Sequence, residues 1–144
     1  PFSYVNDPIV IGQNDNMISI DTAMAVDVYG QIAADSLGFR QQSAVGGQLD
    51  YVRGSQRSKG GKSIIVLPST VEKNGKTESR ISIVLPFGTS VTTPRSDVQY
   101  VATEYGCVDL SDLPMQERVH AMISLAHPDF RSDLEAEAKE YGII

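Results

Sequence analysis

Gly46 and Gly47 stand at the head of a stretch with helical spacing, in which Val45, Leu49 and Val52 fall on one face. Glycine has no Cβ, so backbone N–H groups there can approach a ligand closely. A helix start adds partial positive charge. Such amides can hold a phosphate, or the oxyanion that forms when a thioester is attacked. The alternative is a tight turn that needs glycine backbone conformations. The segment is not a P-loop. Gly60-Gly61-Lys62-Ser63 carries only the tail of that motif and precedes a strand pattern, not a helix.

Lys59, Lys62 and Lys73 sit near glycines and can act as mobile point charges on phosphates, or as ordinary surface lysines. Glu104 follows an apolar strand pattern. A carboxylate at a strand end can be a nucleophile or base, or simply a hydrogen-bonded strand end. His127 before Pro128 reads as a helix start, with no catalytic partner visible in the sequence. With His120 and His127 as the only histidines, a Ser-His-Asp arrangement is not supported. Cys107 is the single cysteine, and no Cys/His set has zinc spacing, so no metal site is expected.

These residues must be positioned by one compact domain, since 144 residues suffice for a core of its own. The formal net charge of −6 argues against nucleic acid and anionic membranes as partners. The basic stretch Arg53, Arg57, Lys59, Lys62 suits a small polyanion, or else a solvated loop. No apolar run is long enough to span a membrane, and Pro1-Phe2-Ser3-Tyr4 is no secretory signal. Cysteine usage fits a reducing cytoplasm. The chain lacks an initiator Met, and a start inside a longer polypeptide is expected.

Residues 1–15 read as an extended lead-in. Met17 to Val28 has β-type content, and Tyr29-Gly30 reads as a hairpin turn. Val45 to Gln56 predicts a helix. Ile64 to Leu67 is a continuous apolar run stopped by Pro68, the pattern of a parallel strand covered on both faces. Asn74-Gly75 marks the tip of a hairpin over Val71 to Ser79, with Arg80 to Leu85 as a returning strand. Val98 to Thr103 predicts a further buried strand. Met115, Val119, Met122, Ile123 and Ala126 form a helical apolar stripe. A second helix from Pro128 ends near Gly142. The order implies an α/β fold: a mostly parallel sheet flanked by helices, with two C-terminal helices.

Several segments then follow one another in a specific order: Tyr4-Val5-Asn6-Asp7-Pro8, Val45-Gly46-Gly47-Gln48-Leu49-Asp50-Tyr51, Ser58-Lys59-Gly60-Gly61-Lys62-Ser63, Leu67-Pro68-Ser69-Thr70, Thr103-Glu104-Tyr105-Gly106 and Ala126-His127-Pro128. Together, over almost the whole chain, they resemble the C-terminal domain of the acetyl-CoA hydrolase/transferase family, in its 4-hydroxybutyrate/butyrate branch. The resemblance implies ping-pong CoA transfer between a short-chain acyl-CoA and a carboxylate through a glutamyl-CoA thioester. It assigns Gly47, helped by Gly46, to the oxyanion, and Ser43 and Lys73 to contacts with CoA. Coenzyme A would be a substrate, with no permanently bound cofactor.

One departure stands out. The family's nucleophilic glutamate lies upstream of the Tyr-Val-Asn-Asp-Pro segment, and this sequence has no glutamate before Glu72. The chain alone is therefore expected to be inactive and to need a missing N-terminal domain. Loss of that partner should leave apolar surface exposed and favour a homo-oligomer. A hydrolase, or a non-catalytic module that binds a ligand, are the rival readings.

Overall fold

A computed structural model describes all residues from 1 to 144. The chain opens with two short helices, α1 (Phe2–Val5) and α2 (Pro8–Gly12). This corrects the extended reading of residues 1–15. Asp7 caps α2 by accepting the Ile9 N–H at 2.7 Å, and Pro8 takes the first helical position, where its missing N–H costs nothing.

β1 (Ile18–Thr22) follows, then a lobe of short strands: β2 (Ala25–Asp27), β3 (Ile32–Ala33), β4 (Ser36–Leu37) and β5 (Arg40–Gln41). Next come α3 (Gln48–Arg57), β6 (Lys62–Val66), the hairpin β7 (Thr70–Lys73) and β8 (Lys76–Ser79), and β9 (Ile81–Ser82). β10 (Tyr100–Thr103), β11 (Gly106–Asp109), α4 (Met115–Ser124) and α5 (Pro128–Glu140) complete the chain.

The main sheet has the order β1-β6-β10-β11. β6 is parallel to both β1 and β10, and β11 returns antiparallel to β10. A smaller sheet, β3-β2-β9, continues beyond the carboxyl ends of these strands. Arg80 to Leu85 is thus not one returning strand. β8 returns from the Asn74-Gly75 tip, and only Ile81–Ser82 is a strand, paired with β2.

The helices gather on one face of the main sheet. Ser19, Ser63, Ile65 and Val101 share that face through the strand register. All four are buried, and α3 covers the Ser19–Ser63 side, where Ser55 Oγ lies 3.1 Å from Ser19 Oγ and Gln56 donates to Ser63 Oγ at 3.1 Å. The core continues through Val101, Leu110, Val119, Met122 and Leu134 under α4 and α5. Met122 is fully buried, whereas Met115, read from its spacing as part of the same stripe, is 44% exposed.

The opposite face is not covered. Ile18 and Ile20 are 46% and 66% exposed, and Ile64, Val66, Tyr100 and Ala102 beside them are only half-buried. The apolar run of β6 is therefore covered by this chain on one side alone, which corrects the two-sided reading. No helix is long and apolar enough to cross a membrane.

Arg118 is 4% exposed on α4, yet has no ion pair. Its guanidinium donates to the carbonyls of Leu110, Arg95 and Val98 at 3.1, 2.9 and 3.4 Å. One side chain thereby holds the loop ends around β10 and β11, satisfying carbonyls that would otherwise be orphaned.

Candidate functional site

α3 begins at the carboxyl ends of the parallel strands, because the chain must run back along the sheet between β1 and β6. Its first residue is fastened twice. Gln48 Nε2 donates to the Thr22 carbonyl at the end of β1 (3.0 Å), and Thr93 Oγ1 donates to Gln48 Oε1 (2.9 Å).

The two glycines serve different needs. Gly46 has φ +66°, a left-handed conformation, and a Cβ there would touch nothing within 4 Å. It is glycine for its backbone angle. Gly47, the N-cap, has φ −104°, which any residue tolerates. A Cβ on it would lie 2.0 Å from Asn6 Nδ2 and 3.1 Å from Asn6 Cγ. It is glycine for space. Tyr51 ties the same region together by donating its hydroxyl to the Val5 carbonyl at 3.4 Å.

No N–H group from Ala44 to Asp50 donates to a protein acceptor. A helix start leaves its first amides free in general, and the preceding loop here adds more. This is a preformed donor array on the dipole's positive end.

Beside it a cleft of about 780 Å³ opens at the carboxyl ends of β1, β6 and β10. Thr22, Val66 and Ala102 form its floor, with Arg80 and Glu104 among its walls. Glu104 Oε2 accepts the Ser69 N–H at 2.9 Å, and its Oε1 accepts the Ser69 hydroxyl at 2.6 Å. These bonds hold its carboxyl below the usual carboxylate range. The arrangement is that of a hydrogen-bonded strand end, kept ionised at the cleft wall. Asp21 behaves oppositely: partial burial pushes its carboxyl up, and its Oδ2 has no partner.

The residues singled out from the sequence do not all converge. Ser43 lies in the exposed loop leading to the glycines, its hydroxyl bonded to the Ala44 carbonyl at 2.9 Å. Lys73 lies on the β7–β8 hairpin, which leaves the carboxyl edge, 3.8 Å from Glu78. It lines a second cleft of about 400 Å³ adjoining the first. Lys59 and Lys62 stand at the amino end of β6, a full strand length from Gly47. The Lys59 carbonyl accepts from Asn16 N, and Lys62 Nζ lies 5.9 Å from the Tyr100 ring centre on the open face. The structure does not bring these two lysines to the glycine segment. His127 caps α5, its Nδ1 accepting the Asp129 N–H at 3.2 Å.

Asn6, Arg80 and Asp21 were not marked by residue type or spacing. Asn6 sits inside a quoted segment, and only the fold reveals that it packs on Gly47.

Comparison with known proteins agrees with this geometry. The family model described as "Acetyl-CoA hydrolase/transferase C-terminal domain" matches residues 1–138. The 4-hydroxybutyrate coenzyme A transferase of Clostridium kluyveri is 50% identical over 95% of this chain, which spans 32% of that protein. The succinyl-CoA:cyclohexane-1-carboxylate CoA transferase of Geobacter metallireducens is 48% identical over the whole chain, again 32% of that protein. Among solved structures, RipA from Yersinia pestis superposes with a TM-score of 0.87 at 47% identity, over 98% of this chain and 31% of that one. The chain thus spans about a third of the length of the relatives it matches. Its sequence and fold place it in the acetyl-CoA hydrolase/transferase family, as that family's C-terminal domain.

Proposed function

We propose that this chain supplies the oxyanion wall and part of the coenzyme A site of a CoA-transferase that moves CoA between a short-chain acyl-CoA and a carboxylate. The observation that carries this reading is the run of unpartnered amides around Gly46 and Gly47, beside a cleft at the carboxyl edge of the sheet. Acyl transfer needs donors already in place where negative charge develops. In the ping-pong scheme a glutamate attacks the thioester carbonyl and expels CoA thiolate, leaving an acyl-glutamyl anhydride. The thiolate attacks the glutamyl carbonyl and expels the first carboxylate, and the acceptor carboxylate then runs the same two steps in reverse, leaving as acyl-CoA and freeing the glutamate. The nucleophile in this reading comes from a part of the enzyme outside these residues. Ser43 and Lys73 then belong to the CoA contacts, since both lie toward the carboxyl edge. Lys59 and Lys62 would contribute only if the ligand reached the amino edge. The exposed face around Ile20 provides the apolar surface for a partner domain or a second copy.

The test is a pair of substitutions in the longer polypeptide that carries this domain. Gly47→Ala drives a methyl group into Asn6 beside the amides, and Gly46→Ala strains the left-handed turn that aims them. Each keeps its N–H but misplaces it, and a displacement of about 1 Å at the reacting atoms should lower kcat for CoA transfer from butyryl-CoA to acetate by up to about a hundredfold. Unchanged kcat in both variants would refute the assignment. Release of free CoA without acetate, at the same rate as with it, would identify a hydrolase instead.

A further inference from the structure

We propose that Arg80 is a ligand-anchoring residue: its guanidinium holds an anionic oxygen group, carboxylate or phosphate, of whatever occupies the carboxyl-edge cleft. This deepens the transferase reading and rests on it.

Arg80 and Met24 are shared by the walls of both clefts, so Arg80 stands at the junction between them. Its backbone is fixed, its N–H donating to the Ser69 carbonyl at 2.8 Å and its own carbonyl accepting the Val26 N–H at 2.9 Å. The side chain is half-buried, yet it spends little of its bonding capacity. One nitrogen, Nη1, donates to the Met24 carbonyl at 3.2 Å. Nε is buried and has no acceptor. No carboxylate lies within ion-pair distance of it.

Glu104 lines the same cleft, but its two oxygens are turned to Ser69 and neither comes within ion-pair distance of Arg80. On a chain of net charge −6, with 18 acidic residues, an arginine in a cleft without an acidic partner is not a product of composition. Arginine has five donors in a planar fork, matched to carboxylate and phosphate oxygens. A guanidinium in a partly apolar cleft, with most donors free, is under-satisfied until an oxyanion arrives. Two groups of the proposed substrates have that chemistry: the acceptor carboxylate and the phosphates of CoA.

The experiment uses the longer polypeptide carrying this domain, with Arg80→Gln and Arg80→Lys. KM and kcat are measured for acetate, for butyryl-CoA and for butyryl-pantetheine, which lacks the phosphates. Arg80→Gln should raise one KM by about tenfold or more, the scale of a lost charged hydrogen bond, with a smaller change in kcat. Arg80→Lys, which keeps the charge without the fork, should recover part of the loss. A rise in the KM of acetate with either thioester identifies the carboxylate. A rise for butyryl-CoA but not for butyryl-pantetheine identifies the phosphates. If Arg80→Gln does not fold, Arg80→Lys alone must still raise one KM. Every KM unmoved, or a loss confined to kcat, overturns the proposal. If the wild-type protein transfers no CoA, the transferase reading fails. Calorimetric titration of wild type and Arg80→Lys with CoA and with acetate then decides the role of Arg80, and equal affinities for both ligands overturn it.

Discussion

Gly54 lies in the middle of α3, where glycine is a poor helix former, and its reason is visible across the interface with α2. An added Cβ would stand 2.5 Å from both Cβ and Cγ2 of Ile11, and 3.2 Å from its Cδ1. The nearest obstacle is a branched carbon anchored to the α2 backbone, which cannot swing away as a side-chain tip would. Gly54→Ala therefore forces the two helices apart. Contacts this short with a backbone-anchored carbon put the overpacking cost at about 2–3 kcal/mol, the upper part of its usual range, and the gain in helix propensity returns about 1 kcal/mol. A net loss of about 1–2 kcal/mol corresponds to a fall in Tm of about 3–7 °C for a domain of this size. The decisive control is Ile11→Gly, which removes the Cβ as well as the atoms beyond it. Ile11 is 4% exposed, and its loss alone should cost about 3–5 kcal/mol, core truncation plus a glycine in a helix. In that background both close contacts are gone, so adding Gly54→Ala should be neutral or stabilising. The coupling between the two positions, read from thermal or urea unfolding of the four proteins, should reach about 2 kcal/mol. A Tm unchanged by Gly54→Ala in the native background, or an equal fall in both backgrounds, would refute this account of the α2–α3 contact.

Two further outcomes follow from other contacts. Ser69→Ala removes the hydroxyl bond, the larger of the two Ser69 bonds that hold Glu104 ionised, and leaves the backbone N–H bond in place, so the Glu104 carboxyl should titrate closer to its ordinary value of 4.5, as followed by carboxyl carbon NMR. A depressed folded-state value stabilises the fold above the unfolded value, and that contribution disappears as pH falls through the folded one. The Tm gap between wild type and Ser69→Ala should therefore be widest near neutrality and narrow below about pH 4; a gap that widens on acidification would contradict the assignment. Ile20→Asp, on the open sheet face, should reduce self-association of this chain in sedimentation without lowering its Tm by more than about 1 kcal/mol equivalent, because the residue is 66% exposed. Unaltered association would exclude that face as the contact.

Much of the fold was legible because local rules and tertiary packing agree. Asn74 and Gly75 both adopt positive φ at the β7–β8 tip, as an Asn-Gly hairpin requires. His127, Pro128 and Gly142 mark the ends of α5. The glycine segment does open α3. The misreadings share a cause. Asp7-Pro8 is a sound helix start, but its helix is only five residues long, too short to show periodicity. Met17 to Val28 looks uniformly β-like, yet it splits at Ala23-Met24 between two sheets. The apolar run of β6 states that its side chains avoid water, without stating who covers the second face. Lys59 and Lys62 stood out for the glycines beside them, and sequence alone does not say which edge of the sheet they reach. A helix of ten residues, about 15 Å long, carries the chain to the far edge of the sheet before they appear. Arg80 had no legible role, since its isolation from acidic partners is a property of the assembled fold.

The pairing of β1 with β6 also governs when the glycine amides come into existence. Ile18 and Lys62 are ladder neighbours across more than forty intervening positions of chain, including the whole β2–β5 lobe and α3. Closing so long a loop has an entropic cost that no local contact offsets in advance, and such non-local parallel pairing slows folding. Gln48 can fasten α3 to Thr22 only once that register is made. Refolding kinetics should therefore separate in time. The β7–β8 hairpin and α5 are local and can form early, and the donor array at Gly46 and Gly47 becomes one of the last parts of the domain to acquire its shape.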